Sequence, residues 1–468
     1  MVRKAALVCL PLRLLSVSAV LLSLNGCGGL SSTGLRSGKI QHIVIIVQEN
    51  RTPDNLFHGL PNADIANSGA NSEGQTVALQ PFSLVIKWDM VHSHASFVQM
   101  YDNGTMDGAD KESILTNCTE DPSTCPLPNA PFHYVNPSEV APYFQMAEQY
   151  TFADRMFQTN EGPSFPAHQF IISGTSAPTA TSNLFIAENA LPADQTGCIA
   201  PPTELVSLIG PSGQESGKMY PCTEHPAITD ELDQKGVSWR YYTPSASFLW
   251  TAPNAIQHMC GPNAAPPNAT ACVGAEWVNH VVIYSPQNPA PILTDISSNQ
   301  LPAVSWVIPS GQNSDHAGEN EGTGPSWVAS IVNAIGASSN WANTAILITW
   351  DDWGGWYDHV PPPKVINDGT SWGSGYVYGF RVPLIVVSPY ARAGYVSHVN
   401  HDFGSLLNFI EQTFGLPSLG YADAQTADDL SDCFNFTQKP LQFQTIAAPL
   451  TAEHFLNDRR PPTGPDND

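Results

Sequence analysis

Positive charge is what this sequence has least of. Only 18 Lys and Arg stand against 42 Asp and Glu, a formal net charge of −24. Proteins that scaffold nucleic acid neutralise its phosphates with clustered Lys and Arg. No basic run occurs here beyond the N-terminus, which argues against a nucleic-acid partner. Charge of either sign is sparse at 13%, whereas hydrophobic residues make up 42%, so the composition is globular rather than disordered. The apolar stretch from Leu14 to Leu24 is too short to span a bilayer. Cys-x-x-Cys spacing is absent, which removes the common zinc and dithiol redox sites. There is no internal repeat.

Arg3, Lys4 and Arg13 lead into that short apolar stretch, the pattern of an export signal. It ends in Leu24-Asn25-Gly26-Cys27, which resembles a bacterial lipoprotein cleavage box, where the Cys becomes the lipidated first residue. The expected organisation is a lipoprotein-type signal peptide over 1–27 and a flexible tether over 28–39. The product is expected to be exported and periplasmic, secreted, or held on the cell surface through a lipidated Cys27. Cysteine use agrees with an oxidising compartment. Besides Cys9 and Cys27, six cysteines fall into local pairs, 118/125, 198/222 and 260/272, within loop-like sequence. These read as staples, with the connectivity left open, and Cys433 is left over.

Four apolar runs read as buried strands: His42–Val47, Ala303–Ile308, Ala345–Trp350 and Pro383–Ser388. Helical patterns lie between them, with Trp327, Val328, Ile331, Val332 and Ile335 on one face, and Leu406, Leu407, Ile410 and Phe414 on another. Buried strands alternating with helices imply an α/β fold, a three-layer αβα sandwich around a mostly parallel sheet. Residues 191–279 are rich in Pro, Gly, Asn and Ala, hold four of the cysteines, and read as an insertion or cap over the sheet edge of a catalytic domain spanning 40–439, with some structure near Val237 to Tyr242. Residues 440–468 form a Pro-rich tail with an acidic end.

Chemistry gathers after the strands. The first runs into Gln48-Glu49-Asn50-Arg51, the second leads to Asp315-His316, and the third ends in Asp351-Asp352-Trp353-Gly354-Gly355. In a parallel sheet the carboxyl ends share one rim, where ligands bind. Acids converging there repel one another unless a cation joins them. Hard oxygen ligands suit one divalent metal ion, with calcium, magnesium, manganese and iron all open. Separately, Gly162-Pro163-Ser164-Phe165-Pro166-Ala167-His168 forms a tight turn into an apolar helix. Ser164 near a helix start, where free N–H groups favour phosphate, is a nucleophile candidate; the plain alternative is a capping serine. A neutral hydroxyl needs a metal or a base to act.

At these residues the sequence resembles the bacterial phosphoesterases that include phospholipases C and acid phosphatases, within the wider alkaline phosphatase-like superfamily. The marks are Ile43-Val44-Ile45-Ile46-Val47-Gln48-Glu49-Asn50-Arg51, the Ser164 turn, the run from Thr344 to Pro363, and Arg381-Val382-Pro383. The resemblance implies a metal held by Glu49, Asn50, Ser164, Asp351 and Asp352, with Ser164 also attacking phosphorus. It implies that His92 and His316 contact the phosphate, and either could protonate the leaving oxygen. Asp358 and His359 follow the metal motif and are candidates either for the site or for props of its loop. Ala167 departs from the Asn usual in the nucleophile turn, and Ser164 stands where many phospholipases C carry Thr. The implied substrate is a phosphate ester, phospholipids included. The rival reading is a surface lipoprotein that binds a phosphorylated ligand without turnover. Trp239, Tyr241, Tyr242, Phe248 and Trp250 could line a lipid groove, but are first expected in the core.

Overall fold

A computed structural model describes residues 1, 38–116, 118–121, 124–191, 195–364, 377–426 and 428–464. The expected signal peptide, Cys27 and most of the tether lie outside the described residues. Among the described residues, no helix is long and apolar enough to cross a membrane.

Nine strands form the central sheet: β1 (His42–Gln48), β2 (Thr151–Phe157), β3 (Trp239–Thr243), β4 (Val281–Ile283), β5 (Val304–Val307), β6 (Thr344–Trp350), β7 (Arg381–Val387), β8 (Tyr395–Ser397) and β9 (His401–Asp402). Their order is β4-β3-β5-β1-β6-β7-β2-β8, with β9 also paired to β2. The β-branched runs of β1 and β6 sit at the centre, where both faces are covered, and β6 is buried throughout. From β4 to β6 every pairing is parallel, whereas β7 runs antiparallel to both neighbours. The expected fourth strand therefore exists but points the other way. A parallel return needs a crossover carrying the chain back to its starting edge. The described part of 351–380 holds no helix that could make one.

Helices α1 (Ala141–Gln149), α2 (Ser164–Ser173), α3 (Gly324–Ala337) and α4 (Phe403–Phe414) supply the outer layers. α1 packs with α3 and α2 with α4, two groups flanking the sheet. Trp327, Val328, Ile331, Val332 and Ile335 are buried on α3, and Leu406, Leu407 and Ile410 on α4, as their spacing implies.

One expected segment divides. Residues 191–279 are not all insertion, because Trp239–Thr243 enters the central sheet beside β5. Trp239, Tyr241, Tyr242 and Trp250 are core residues there, not a lipid groove. The rest of that stretch covers the sheet. It supplies two strands of a small sheet built from Phe185–Ile186, Val206–Ile209 and Glu215–Met219. Disulfides join Cys118 to Cys125, Cys198 to Cys222 and Cys260 to Cys272, and Cys433 is buried and free. The tail, described to 464, docks on the body: the Leu441 N–H reaches the Pro389 carbonyl at 2.8 Å and the Thr463 N–H reaches Gln312 Oε1 at 2.7 Å.

Candidate active site

Strand register brings the acids together. In the parallel pair β1·β6, Gln48 lies opposite Trp350, so Glu49-Asn50 and Asp351-Asp352 leave the sheet side by side at one rim. The Asn50 N–H donates to Asp351 Oδ1 at 3.0 Å and ties the two turns together. Asn50 holds a left-handed φ of 63°. The chain then turns sharply at Gly354 and Gly355, with φ of 61° and 73°. A Cβ on Gly354 would lie 2.6 Å from the Asn50 Cβ, so this turn can close over Asn50 only with glycine.

Ser164 begins α2 after Pro163, at the same rim. Its hydroxyl donates to Asp352 Oδ2 at 3.0 Å, and Asp352 Oδ1 accepts the Gly354 N–H at 2.8 Å. Asn189 Oδ1 accepts the Phe165 N–H at 2.9 Å and anchors the helix start. His168, one turn along α2, brings Nε2 within 3.3 Å of Glu49 Oε1 and 3.7 Å of Asp351 Oδ2. Glu49, Asn50, Ser164, His168, Asp351 and Asp352 are all buried.

The electrostatics are unfavourable without a cation. Burial, then the Asp351 charge, holds Glu49 well above the usual carboxylate range. Burial and then Asp351 push Asp352 up to about 8. Burial pushes His168 down to about 4, which keeps its imidazole neutral and able to donate a lone pair to a metal. Both Glu49 oxygens, Asp351 Oδ2, Asn50 Oδ1 and both His168 nitrogens are buried without a hydrogen-bond partner. Buried polar atoms are rarely left so. One ligand atom each from Glu49, His168 and Asp351 fall within 4.8 Å of one another. This donor set fits a divalent cation.

The predicted histidines His92 and His316 are both buried. His92 Nδ1 faces the Met90 carbonyl at 2.9 Å, so Nδ1 carries the proton and Nε2 accepts from Asn50 Nδ2 at 3.1 Å. His92 Nε2 lies 3.8 Å from Asp352 Oδ2. His316 packs beside it with ring centroids 6.1 Å apart, its Nδ1 on the Ala317 carbonyl at 2.7 Å. Asp315 turns inward instead: Oδ2 accepts from Tyr143 and Trp350 at 2.8 and 3.0 Å. Asp358 and His359 serve the loop. Asp358 holds the buried Arg381 guanidinium, and His359 bridges Asp54 and Asp64 at 2.8 and 3.1 Å.

A family profile described as the Phosphoesterase family matches residues 40–417. The chain belongs to that family. Among Phosphoesterase relatives, the non-hemolytic phospholipase C of Pseudomonas aeruginosa is 24% identical over 438 residues. Phospholipase C B of Mycobacterium tuberculosis is 25% identical over 450 residues. The alignments cover 85% and 86% of this chain, and 57% and 78% of those relatives. A solved protein of the alkaline phosphatase superfamily from Vibrio parahaemolyticus overlaps at a TM-score of 0.34 and 12% identity, covering 85% of this chain and 72% of that one. That overlap is too loose to bear on the chemistry.

Within the Phosphoesterase chain, all the sequence-predicted ligands meet at one place: Glu49, Asn50, Ser164, Asp351 and Asp352. His92 adjoins them and His316 adjoins His92. His168 was not singled out as a ligand, although its spacing of four from Ser164 puts it on the same helix face.

Proposed function

We propose that this chain is a metal-dependent hydrolase of phosphoric esters with Ser164 as nucleophile. One observation carries the reading: the Ser164 hydroxyl, bonded to Asp352, borders a buried group of unpartnered carboxylate, amide and imidazole atoms. Glu49, Asn50, Ser164, Asp351, Asp352 and His168 would hold the cation. Bound there, a divalent cation would supply the positive charge that acidifies the serine and offsets the phosphate's charge in a chain of net charge −24.

In the first displacement the Ser164 Oγ–P bond forms as the bond from phosphorus to the ester oxygen breaks. Asp352 accepts the hydrogen bond of the hydroxyl and would take its proton as Oγ attacks, holding it until the serine is released. Asn50 fixes the His92 ring by donating to Nε2. His316 would protonate the departing alkoxide, or His92 once its Nε2 carries the proton. Water then attacks the phosphoseryl group, releases phosphate or a phosphomonoester, and returns the proton to Ser164. Ester type separates two outcomes, an acid phosphatase on monoesters or a phospholipase C on lipid diesters, the activity named in the relatives. The three disulfides support export to an oxidising compartment.

Assay of p-nitrophenyl phosphate beside phosphatidylcholine, with and without chelator, tests the reading. Chelation should stop turnover. Ser164→Ala should lower kcat by about a thousandfold or more with the fold intact by circular dichroism. Full activity in that variant removes Ser164 from the mechanism.

A further inference from the structure

A cavity of about 270 Å³ adjoins the nucleophile, with His92 and Pro163 among its lining residues. His92 lies 3.8 Å from the carboxylate that holds the Ser164 hydroxyl, so an occupant of the cavity would sit beside the proposed phosphate site.

The far wall comes from the small sheet and from the bridge between Leu191 and Leu205 next to it in the chain. Leu191 and Leu205 pair through both backbone hydrogen bonds at 3.1 Å, yet they remain 49% and 38% exposed. Three polar groups, Glu188, Glu215 and Lys218, line the same cavity. Glu188 is fixed by accepting the His94 N–H at 2.9 Å. Burial and then the neighbouring Glu215 push Glu188 up to about 8, so the two carboxylates lie close enough to feel each other.

The mixture of groups narrows the occupant. A fatty acyl chain offers no hydrogen-bond partner to Glu188, Glu215 or Lys218. A simple organic cation offers no acceptor to Lys218. A hydroxyl both donates and accepts, which matches carboxylates beside an ammonium, while the C–H face of a sugar ring suits the leucine strip. Resting on the phosphoesterase reading above, we infer that this cavity is the subsite for a hydroxyl-rich alcohol, a sugar or other polyol borne on the phosphate. Glu188, Glu215 and Lys218 determine its specificity.

Calorimetry on the metal-loaded Ser164→Ala protein separates binding from turnover. Glucose 6-phosphate should bind at least about tenfold more tightly than inorganic phosphate. Adding Glu215→Gln or Glu188→Gln should bring that ratio to within about twofold, with inorganic phosphate unaffected. Equal affinities in the parent overturn the inference, as does a sugar advantage that survives both substitutions. Tighter binding of phosphocholine than of glucose 6-phosphate also overturns it, by making the cavity a cation site. Binding of neither inorganic phosphate nor sugar phosphate would instead defeat the phosphoesterase reading, and the subsite with it.

Discussion

His168 shows how a single side chain changes the character of the site. Oxygen donors alone describe a site for a hard cation, whereas a buried neutral imidazole 3.3 Å from Glu49 adds a nitrogen. Nitrogen among carboxylates widens the choice toward transition metals such as iron and manganese. His168→Ala should therefore weaken metal affinity by about a hundredfold, measured by metal titration, and weaken iron more than calcium. A calcium affinity reduced as much as that for iron would show that the imidazole matters for packing alone. Asn50 works differently. It gives its N–H to Asp351 and its amide to His92, so its remaining oxygen is left for the cation.

At the level of elements, the site depends on β1 and β6 ending in register, and on the loop after β6 being held down. Arg381, at the start of β7, does much of that holding. Its guanidinium bonds Asp358 and also donates to the carbonyls of Asp64 and Asp154, all without exposure of its own. Arg381→Met should cost about 3 kcal/mol, read from the chemical denaturation midpoint, because it strands Asp358 as a buried charge.

The same elements show what the sequence could and could not reveal. β1, β5 and β6 were legible because a strand covered on both faces has no room for polar residues. β2 is masked in the sequence by Asp154 and Arg155 in mid-strand, which interrupt its apolar run. Yet Asp154 is buried, accepting from the Asp64 N–H and His398 at 2.7 and 2.8 Å. β3 was masked by its surroundings: five residues of Trp-Arg-Tyr-Tyr-Thr inside a stretch rich in Pro and Gly. Of the proposed ligands, Glu49, Asn50, Asp351 and Asp352 are legible because they follow apolar strands, and Ser164 because a Gly-Pro turn precedes it. His168 lies inside a helix, where only its spacing from Ser164 marks it.

For the whole molecule the dominant fact is excess negative charge, and three of its carboxyl groups, Glu49, Asp351 and Asp352, are buried together at one rim. Asp352 has its folded pKa raised from 3.8 to about 8, and Glu49 shifts in the same direction. An unfolded chain releases these protons first. The metal-free protein should therefore be most stable near pH 4, lose stability as pH rises toward about 8, and level off above that. A divalent cation should oppose the loss, adding about 2.7 kcal/mol at a hundred times its Kd. Thermal unfolding across pH, with and without metal, would show the two curves diverging upward from pH 4. Parallel curves would place the cation elsewhere.

The docked tail carries one more consequence. Gln312 is clasped by Thr463 through both its main-chain N–H and its side chain, and the turn from Gln312 continues directly into Asp315 and His316. The C-terminal segment thus acts as a tether on a loop of the candidate active site more than a hundred residues away in the chain. Trimming the protein before Pro440, as a crystallographer might do with a Pro-rich end, would free that loop and blunt turnover while leaving every proposed metal ligand in place.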